Sequence, residues 1–418
     1  MPSKTDVIII GAGASGLSAA KELTRLGLSF VLVEGSHRIG GRAYSEEIAP
    51  GVWFDLGCSY LHQGEINAFV AIADELGIVL GKDKGDMFDV SNLRLHKNGV
   101  PLNASEREAY AAYVSQCYAA VTASAERGED VAIVDLIDLD SEFATTFMHS
   151  MAGLCTLDID EISALDLANV DEGSDIPVLN GYGNLVATWG SDVTVSLNTK
   201  VERIDWSGAG VCVKTSKGTL QGRTVLCTVS TGILASGEIQ FVPGLPDWKM
   251  EAVLGVPTGT ENKICLHFDQ DVFGPDGRGF HNTWNDDGVA GEFEASVMGQ
   301  NTAIVFTGGR FGIWLEKQGQ QAGHDYAVDR VAEAFGNDIR KHVTRSIVTA
   351  WSTEPWTRGS YTCALPGQAH QRIKLAQTLG DRLFFAGEAT TVHDYAFCHG
   401  AFNSGIRAAQ EISDSLKR

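Results

Sequence analysis

The chain has 418 residues, of which 44% are hydrophobic and 20% charged, a balance that excludes disordered and fibrous classes and suits two or three domains. Its 32 Lys and Arg stand against 53 Asp and Glu, a net charge of −21. That excludes nucleic-acid binding, because a phosphate backbone calls for a basic face, while the same field would draw a cationic small molecule.

The eight cysteines form no C-x-x-C pair and read as buried thiols of a reducing compartment. Met1 to Asp6 leads into a strand without the apolar core of a signal peptide, and no apolar run reaches the roughly 18 residues of a membrane span. The expectation is a cytoplasmic protein with no membrane partner.

In chain order, Val7 to Ile10 is a continuous apolar run, as for a strand buried on both faces. Gly11-Ala12-Gly13-Ala14-Ser15-Gly16 follows, then Leu17, Ala20, Leu23 and Leu26 at helical spacing, closed by Gly27. A second strand, Phe30 to Val33, ends at Glu34, near the roughly 20-residue offset of a ribose-binding acid. This is a complete βαβ dinucleotide-binding unit. Gly11 permits the tight turn, Gly13 admits a pyrophosphate to the backbone, and Gly16 packs helix on strand. The helix N-terminal amides at Ala14 and Ser15 meet phosphate, and Glu34, followed by Gly35, accepts from ribose hydroxyls. Gly40-Gly41-Arg42 suits a loop folded over that ligand, with Arg42 on the pyrophosphate.

From Ala104 to about Leu167 the pattern is helical, until Asn180-Gly181-Tyr182-Gly183 interrupts it. Strands at 193–196, 201–204, 211–214 and 224–228 predict a β-meander. Val186 stands where a second fingerprint would need glycine, so no second dinucleotide is expected. A strand over 382–386 ends in Gly387-Glu388, and a last helix opens near Gly400 with Phe402, Ile406, Ala409, Ile412 and Leu416 on one face. With dinucleotide elements at both ends and in the middle, the domains are expected to interleave.

These blocks, with Asp55-Leu56-Gly57-Cys58-Ser59-Tyr60-Leu61-His62, Thr199-Lys200-Val201, Glu261-Asn262-Lys263-Ile264, Gly359-Ser360-Tyr361, Gly387-Glu388-Ala389-Thr390 and His399-Gly400-Ala401, resemble the FAD-dependent amine oxidase family over essentially the whole chain. That family includes monoamine oxidases, polyamine oxidases and flavin histone-lysine demethylases; the His-Gly-Ala and Asn-Lys blocks look closer to the polyamine oxidase branch. The resemblance implies an α/β fold. A Rossmann-like, glutathione-reductase-like FAD-binding domain (1–85, 180–255 and 376–418) would interleave with an α+β substrate-binding domain (86–179 and 256–375).

It also implies roles. Glu34 would hold the adenosine ribose, Arg42 the pyrophosphate, the Val201 backbone the adenine, and Glu388 the ribityl or phosphate region, with Gly57, Ser59 and Gly387 beside the cofactor. The Cys398 backbone would meet the flavin pyrimidine, where the last helix's N-terminus favours negative charge. Lys263 would hold a water near flavin N5; taken alone, a lysine at a strand start reads as a snorkelling surface residue. Tyr361 and Phe397 would wall the amine, His62 would lie near the flavin, and Trp351 and Trp356 would line the cavity. Ser360 occupies the place of a linking cysteine, so FAD is expected to be noncovalent. No anchor of the kind carried by membrane-bound relatives is expected, and no metal motif appears.

The implied activity is oxidation of an amine, with a polyamine or other extended amine favoured over an aryl-alkyl monoamine or a pathway-specific secondary amine. Hydride would pass to flavin N5, the imine would hydrolyse to a carbonyl, and O2 would become H2O2. A desaturase-type flavoprotein of the same fold and a non-enzymatic FAD-fold binding module are the rival readings. The amine and O2 are the expected partners, and a homodimer stays open.

Overall fold

In a computed structural model describing residues 5–82, 92–170 and 173–418, the first apolar run forms strand β1 (Thr5–Ile10). The expected boundary at residues 85 and 86, and Met1 to Lys4, lie outside the described residues. Helix α1 (Ala14–Arg25) and strand β2 (Phe30–Val33) follow. β1 runs parallel to β2, with Ile9 opposite Leu32 and Ile10 opposite Val33. Its alternation explains the unbroken apolar run. Val7 and Ile9 join a core with Leu17, Leu23 and Ile412, while Ile8 and Ile10 join another with Ile204, Val225 and Phe385.

The first sheet orders eight strands. Gln240–Val242, Val201–Asp205, Val211–Thr215, Gly218–Cys227, β1, β2 and Val195–Ser196 lie in sequence, and Leu383–Phe385 pairs with the end of Gly218–Cys227. The expected meander is present in part: Val201–Asp205, Val211–Thr215 and Gly218–Cys227 run antiparallel, the last starting at Gly218 rather than 224, but the strand expected to open it, Val195–Ser196, pairs parallel with β2 at the far edge of the sheet.

The second sheet draws seven strands from 94–101 and 261–348, with Glu261–Phe268 and Thr302–Gly308 near its centre. One face packs on helices Gly309–Gln318 and Gln320–Phe335 through Leu266, Phe293, Val305 and Val331. The register sets residues of three strands in a row, Lys263 opposite Phe306 and Phe306 opposite Glu292.

Two expectations need correction. The stretch from 104 to 167 is not one helical run but helices Ala104–Glu126, Ala144–Cys155 and Ala164–Ala168. Gly128, at φ 73°, follows the first, and Thr156 closes the second in the left-handed region at φ 67°. The last helix spans Cys398–Lys417, and its buried stripe is Ser404, Gly405, Ala408, Ala409 and Ile412. Phe402 and Leu416 only flank that core. Small residues win because α1 lies close: a Cβ on Gly405 would sit 2.1 Å from the Ser15 carbonyl oxygen. Among the described residues no helix is long and apolar enough to cross a membrane.

Candidate functional site

A cavity of about 1190 Å³ runs from Ile10, Val33 and Thr228, at the C-terminal ends of three strands of the first sheet, to Lys263, Glu292 and Phe306 on one face of the second. Ligands of open α/β sheets bind beyond those strand ends.

At the first end the wall is mostly backbone. Gly11 has φ 101°, and a Cβ there would lie 2.6 Å from Thr228 Oγ1. Gly16 is not on the wall; its Cβ would stand 1.9 Å from the Gly11 carbonyl oxygen, so glycine is what lets the helix start so near the strand. A Cβ on Gly13 would meet no protein atom closer than 3.9 Å, which leaves the space in front of it to a ligand. Ala14 and Ser15, the first residues of α1, also line the cavity. The Glu34 carboxylate accepts from the Ala12 and Ser36 amides at 2.8 Å each, which fixes its direction and leaves lone pairs for hydroxyls. Gly35 and Val201 line this end. Trp356, expected simply as a cavity residue, belongs here, because a Cβ on Gly35 would lie 2.3 Å from its ring. This donor and acceptor set, with its glycine-cleared floor, fits a dinucleotide.

A buried polar chain crosses the middle. Arg42 Nη1 donates to the Ser360 carbonyl at 2.7 Å and to Glu388 Oε1 at 2.9 Å. Glu388 Oε2 accepts from Thr362 Oγ1 at 2.6 Å and from the Ala396 amide at 3.1 Å. Burial works to raise the Glu388 pKa, yet the charges of Arg42 and Arg372 and the Thr362 hydrogen bond hold it below the usual glutamate value. Arg372, with no exposed surface, donates to Asp166 through Nε at 2.6 Å and Nη2 at 2.7 Å, and lies over the Tyr395 ring at 3.5 Å. Gly387, Glu388, Phe397 and Cys398 border the cavity, and the Cys398 thiol meets that of Cys58.

Side chains make the far end. Lys263 is 6% exposed, and its Nζ donates to the Gly57 carbonyl at 2.5 Å and to Ser59 Oγ at 2.7 Å. It is a buried donor, not a surface snorkeller. Trp351 Nε1 donates to the Leu56 carbonyl at 3.1 Å, next to Gly57. Tyr361 lines the cavity and its hydroxyl donates to the carbonyls of Gly153 and Leu154 at 3.1 and 3.0 Å, which fixes the ring. Phe397 stacks on His62 with ring centroids 4.6 Å apart, and His62 Nδ1 faces Asp175 Oδ1 at 2.5 Å. Ser360 Oγ accepts from the Glu261 amide at 2.7 Å.

Several wall residues escaped the sequence reading. Asp175 orients His62 from a loop distant in the chain. Arg38 stacks on Tyr44, 3.8 Å from its ring. Phe280 and Phe306 form a stacked pair with centroids 6.4 Å apart on the second sheet. Glu261 and Glu292 lie on the same wall. Burial raises the Glu261 pKa against the pull of Lys263, and it pushes Glu292 up to about 7 despite a hydrogen bond from Ser150. The strand alternation of Glu261 with Lys263 was readable; the placement of the others depends on register.

Comparison with known proteins agrees with this arrangement. The model of flavin-containing amine oxidoreductases matches residues 119–413, and that of an NAD(P)-binding Rossmann-like domain matches 9–76. The chain is 31% identical over 99% of its length to Arabidopsis thaliana Protein FLOWERING LOCUS D, of which it covers 56%. It is 27% identical over 98% of its length to rice Polyamine oxidase 4, covering 88% of that protein, and 30% identical to rice Lysine-specific histone demethylase 1 homolog 1, covering 52%. The chain thus spans about half of the FLOWERING LOCUS D and demethylase relatives. A solved putrescine oxidase variant with redesigned cofactor binding shares the fold at TM-score 0.79 and 19% identity, with 99% of each chain covered. The glycine-cleared turn, the acid at the end of β2 and the matched model over 119–413 together make this chain a member of the flavin-containing amine oxidoreductase family, an enzyme whose cofactor is FAD.

Proposed function

We propose that this protein oxidises an amine, with a polyamine or other extended amine favoured. The observation that carries the reading is Lys263: a lysine buried on the cavity wall, fixed by Gly57 and Ser59 among aromatic rings. When bound, FAD supplies the redox chemistry, taking hydride from the amine's α-carbon and returning the electrons to O2 as H2O2.

The protein's own residues do the rest. Gly11, Gly13, Ala14 and Ser15 clear and cap the pyrophosphate site, backed by Gly16. Glu34 and Gly35 take the ribose, and the Val201 backbone takes the adenine. Arg42 and Glu388, locked together, orient the ribityl and phosphate region with Gly387, and the N-terminus of helix Cys398–Lys417 favours negative charge there. Ser360 in place of a linking cysteine supports noncovalent binding. Lys263 holds a water by the redox centre and moves its proton. Tyr361, Phe397 and His62 desolvate the amine, which keeps its nitrogen neutral. We assign 1–85, 180–255 and 376–418 to the FAD-binding domain and 86–179 and 256–375 to the substrate-binding domain.

The test is a panel of mono-, di- and polyamines assayed for H2O2 with the FAD-loaded protein. Peroxide above the amine-free rate is expected with at least one extended amine. No peroxide and no bleaching of the flavin with any of them would overturn the reading.

A further inference from the structure

All eight cysteines are free thiols, and four of them line the cavity: Cys58, Cys155, Cys363 and Cys398. They stand in two pairs, Cys58 beside Cys398 and Cys155 beside Cys363, each joined by a side-chain hydrogen bond. Cys155 and Cys363 are buried, at 6% and 1% exposed, whereas Cys58 and Cys398 both keep part of their surface open. Cys117, Cys227 and Cys265 are buried elsewhere, and Cys212 is not on the cavity wall. One thiol pair of this protein therefore has both partners reachable from the space where the cofactor and amine meet. Amine oxidation uses neither sulfur.

The pair also joins two working parts of the site. Cys58 lies between Gly57 and Ser59, the two residues that hold the Lys263 ammonium, and Cys398 is the first residue of the 20-residue last helix. Both pack against the core that contains Leu17 and Ile412. The two thiols are not equivalent. Cys58 donates its S–H to the Cys398 sulfur; that bond and burial push the Cys58 thiol up, against the pull of Lys263, so Cys58 keeps its proton. The accepting sulfur heads a helix, a place that favours a negatively charged sulfur in general. An attacking sulfur with a protonated thiol against it is the arrangement of a peroxide-reactive cysteine and its resolving partner.

We infer that Cys58 and Cys398 are a thiol switch, closed to a disulfide by the hydrogen peroxide that amine oxidation releases into this cavity, and that the bridge slows turnover. The source of the oxidant rests on the proposed function; the reactivity of the pair does not. The Cys398 sulfur attacks one peroxide oxygen, the O–O bond breaks, and the Cys398 proton leaves with the other oxygen as water. The Cys58 sulfur then attacks the resulting sulfenic sulfur, the S–S bond forms, the S–O bond breaks, and the Cys58 proton leaves in a second water. Two thiols are oxidised and one peroxide is reduced to two waters. An S–S bond of about 2 Å is shorter than any hydrogen-bonded contact between sulfurs, so the loop around Cys58 is drawn to the helix. Gly57 and Ser59 move with it, and Lys263 loses the placement of its two acceptors. Exchange with a cellular thiol reopens the bridge.

The experiment reads the bond itself. FAD-loaded protein with its thiols reduced is titrated with hydrogen peroxide, alkylated, digested and mapped by mass spectrometry without reductant. Peptides linked through Cys58 and Cys398 should appear before any methionine is oxidised, while Cys155 and Cys363 are alkylated, and dithiothreitol should part them. Cys58→Ser removes the resolving thiol and should carry Cys398 on to its sulfinic acid, a gain of two oxygens; Cys398→Ser should leave Cys58 a thiol. In the bridged protein, flavin reduction by an amine should slow by about tenfold or more and recover with dithiothreitol. Methionine oxidation while Cys58 and Cys398 are both still alkylated overturns the inference, as does a bridge between Cys155 and Cys363 in its place. So does a bridged protein whose flavin is reduced as fast as in the thiol form. Oxidation of Cys58 in the Cys398→Ser protein overturns the order of attack. The wild-type map decides the pairing even where a variant fails to fold. Because the peroxide is added, a protein that oxidises no amine fails the proposed function while the map still decides whether the pair closes.

Discussion

The two ends of the cavity are built on different principles. The dinucleotide end is backbone: Gly11, Gly13 and Gly16 shape it, and Glu34 is aimed by two main-chain amides. The amine end is side chains on a sheet face, with Lys263, Phe306 and Glu292 aligned by the register of strands up to about 40 residues apart. Backbone shape is written in adjacent residues, whereas a shared face is written only in the pairing of distant ones. A common cofactor can therefore be read locally, and the substrate cannot.

The costliest place to test this contrast is the seam. Asp166 and Arg372 have no exposed surface, and the chain through Thr362 and Glu388 to Arg42 ties the two ends together. Arg372→Met leaves Asp166 charged and unpaired, so unfolding free energy should fall by about 3–5 kcal/mol, read from chemical denaturation with FAD bound. A loss below about 1 kcal/mol, as for an exposed ion pair, would mean that the ends are held together by packing alone.

The glycine turn comes next. Gly16→Ala puts a methyl against a backbone oxygen that has no side chain to yield, and should cost about 3 kcal/mol along with flavin content. Gly13→Ala meets no protein atom within 3.9 Å. It should leave the apoprotein's melting temperature unchanged but weaken FAD by about tenfold or more, since the added methyl takes ligand space. If the two variants behave alike, the division between a packing glycine and a ligand glycine is wrong.

A smaller effect is expected at the amine end from Lys263→Met, which keeps the alkyl stem and removes the donor to Gly57 and Ser59. FAD binding should persist while flavin reduction or reoxidation slows by at least about tenfold, roughly 1.4 kcal/mol of barrier. Wild-type rates for both half-reactions by stopped flow would return Lys263 to a structural role.

How much could be read in advance follows the same division. Val7 to Glu34 disclosed a strand, turn, helix, strand and acid because each step is local, and the structure has all of them. Lys263 looked like a surface residue until the resemblance placed it, since a lysine at a strand start carries no mark of the wall above it. Glu292 sits in Ala290-Gly291-Glu292-Phe293-Glu294-Ala295, whose alternation reads as an ordinary strand with a solvated face. That the face looks onto an enclosed cavity depends on the pairing with Phe306. Asp175 had no signal at all. The break after Cys155 was missed because Thr156 takes a left-handed conformation in which glycine is the usual marker.

The smallest expected effect concerns the field of the whole chain rather than either end. A net charge of −21 attracts cations before contact, an attraction screened over about 8 Å at physiological ionic strength. For a diamine, kcat/KM should fall a few-fold as salt rises from low to physiological levels, with kcat nearly constant, because screening weakens approach but not the desolvated contacts inside the cavity. A monoamine of equal length carries half the charge and should show about half the logarithmic slope. Equal slopes for the two amines would remove steering.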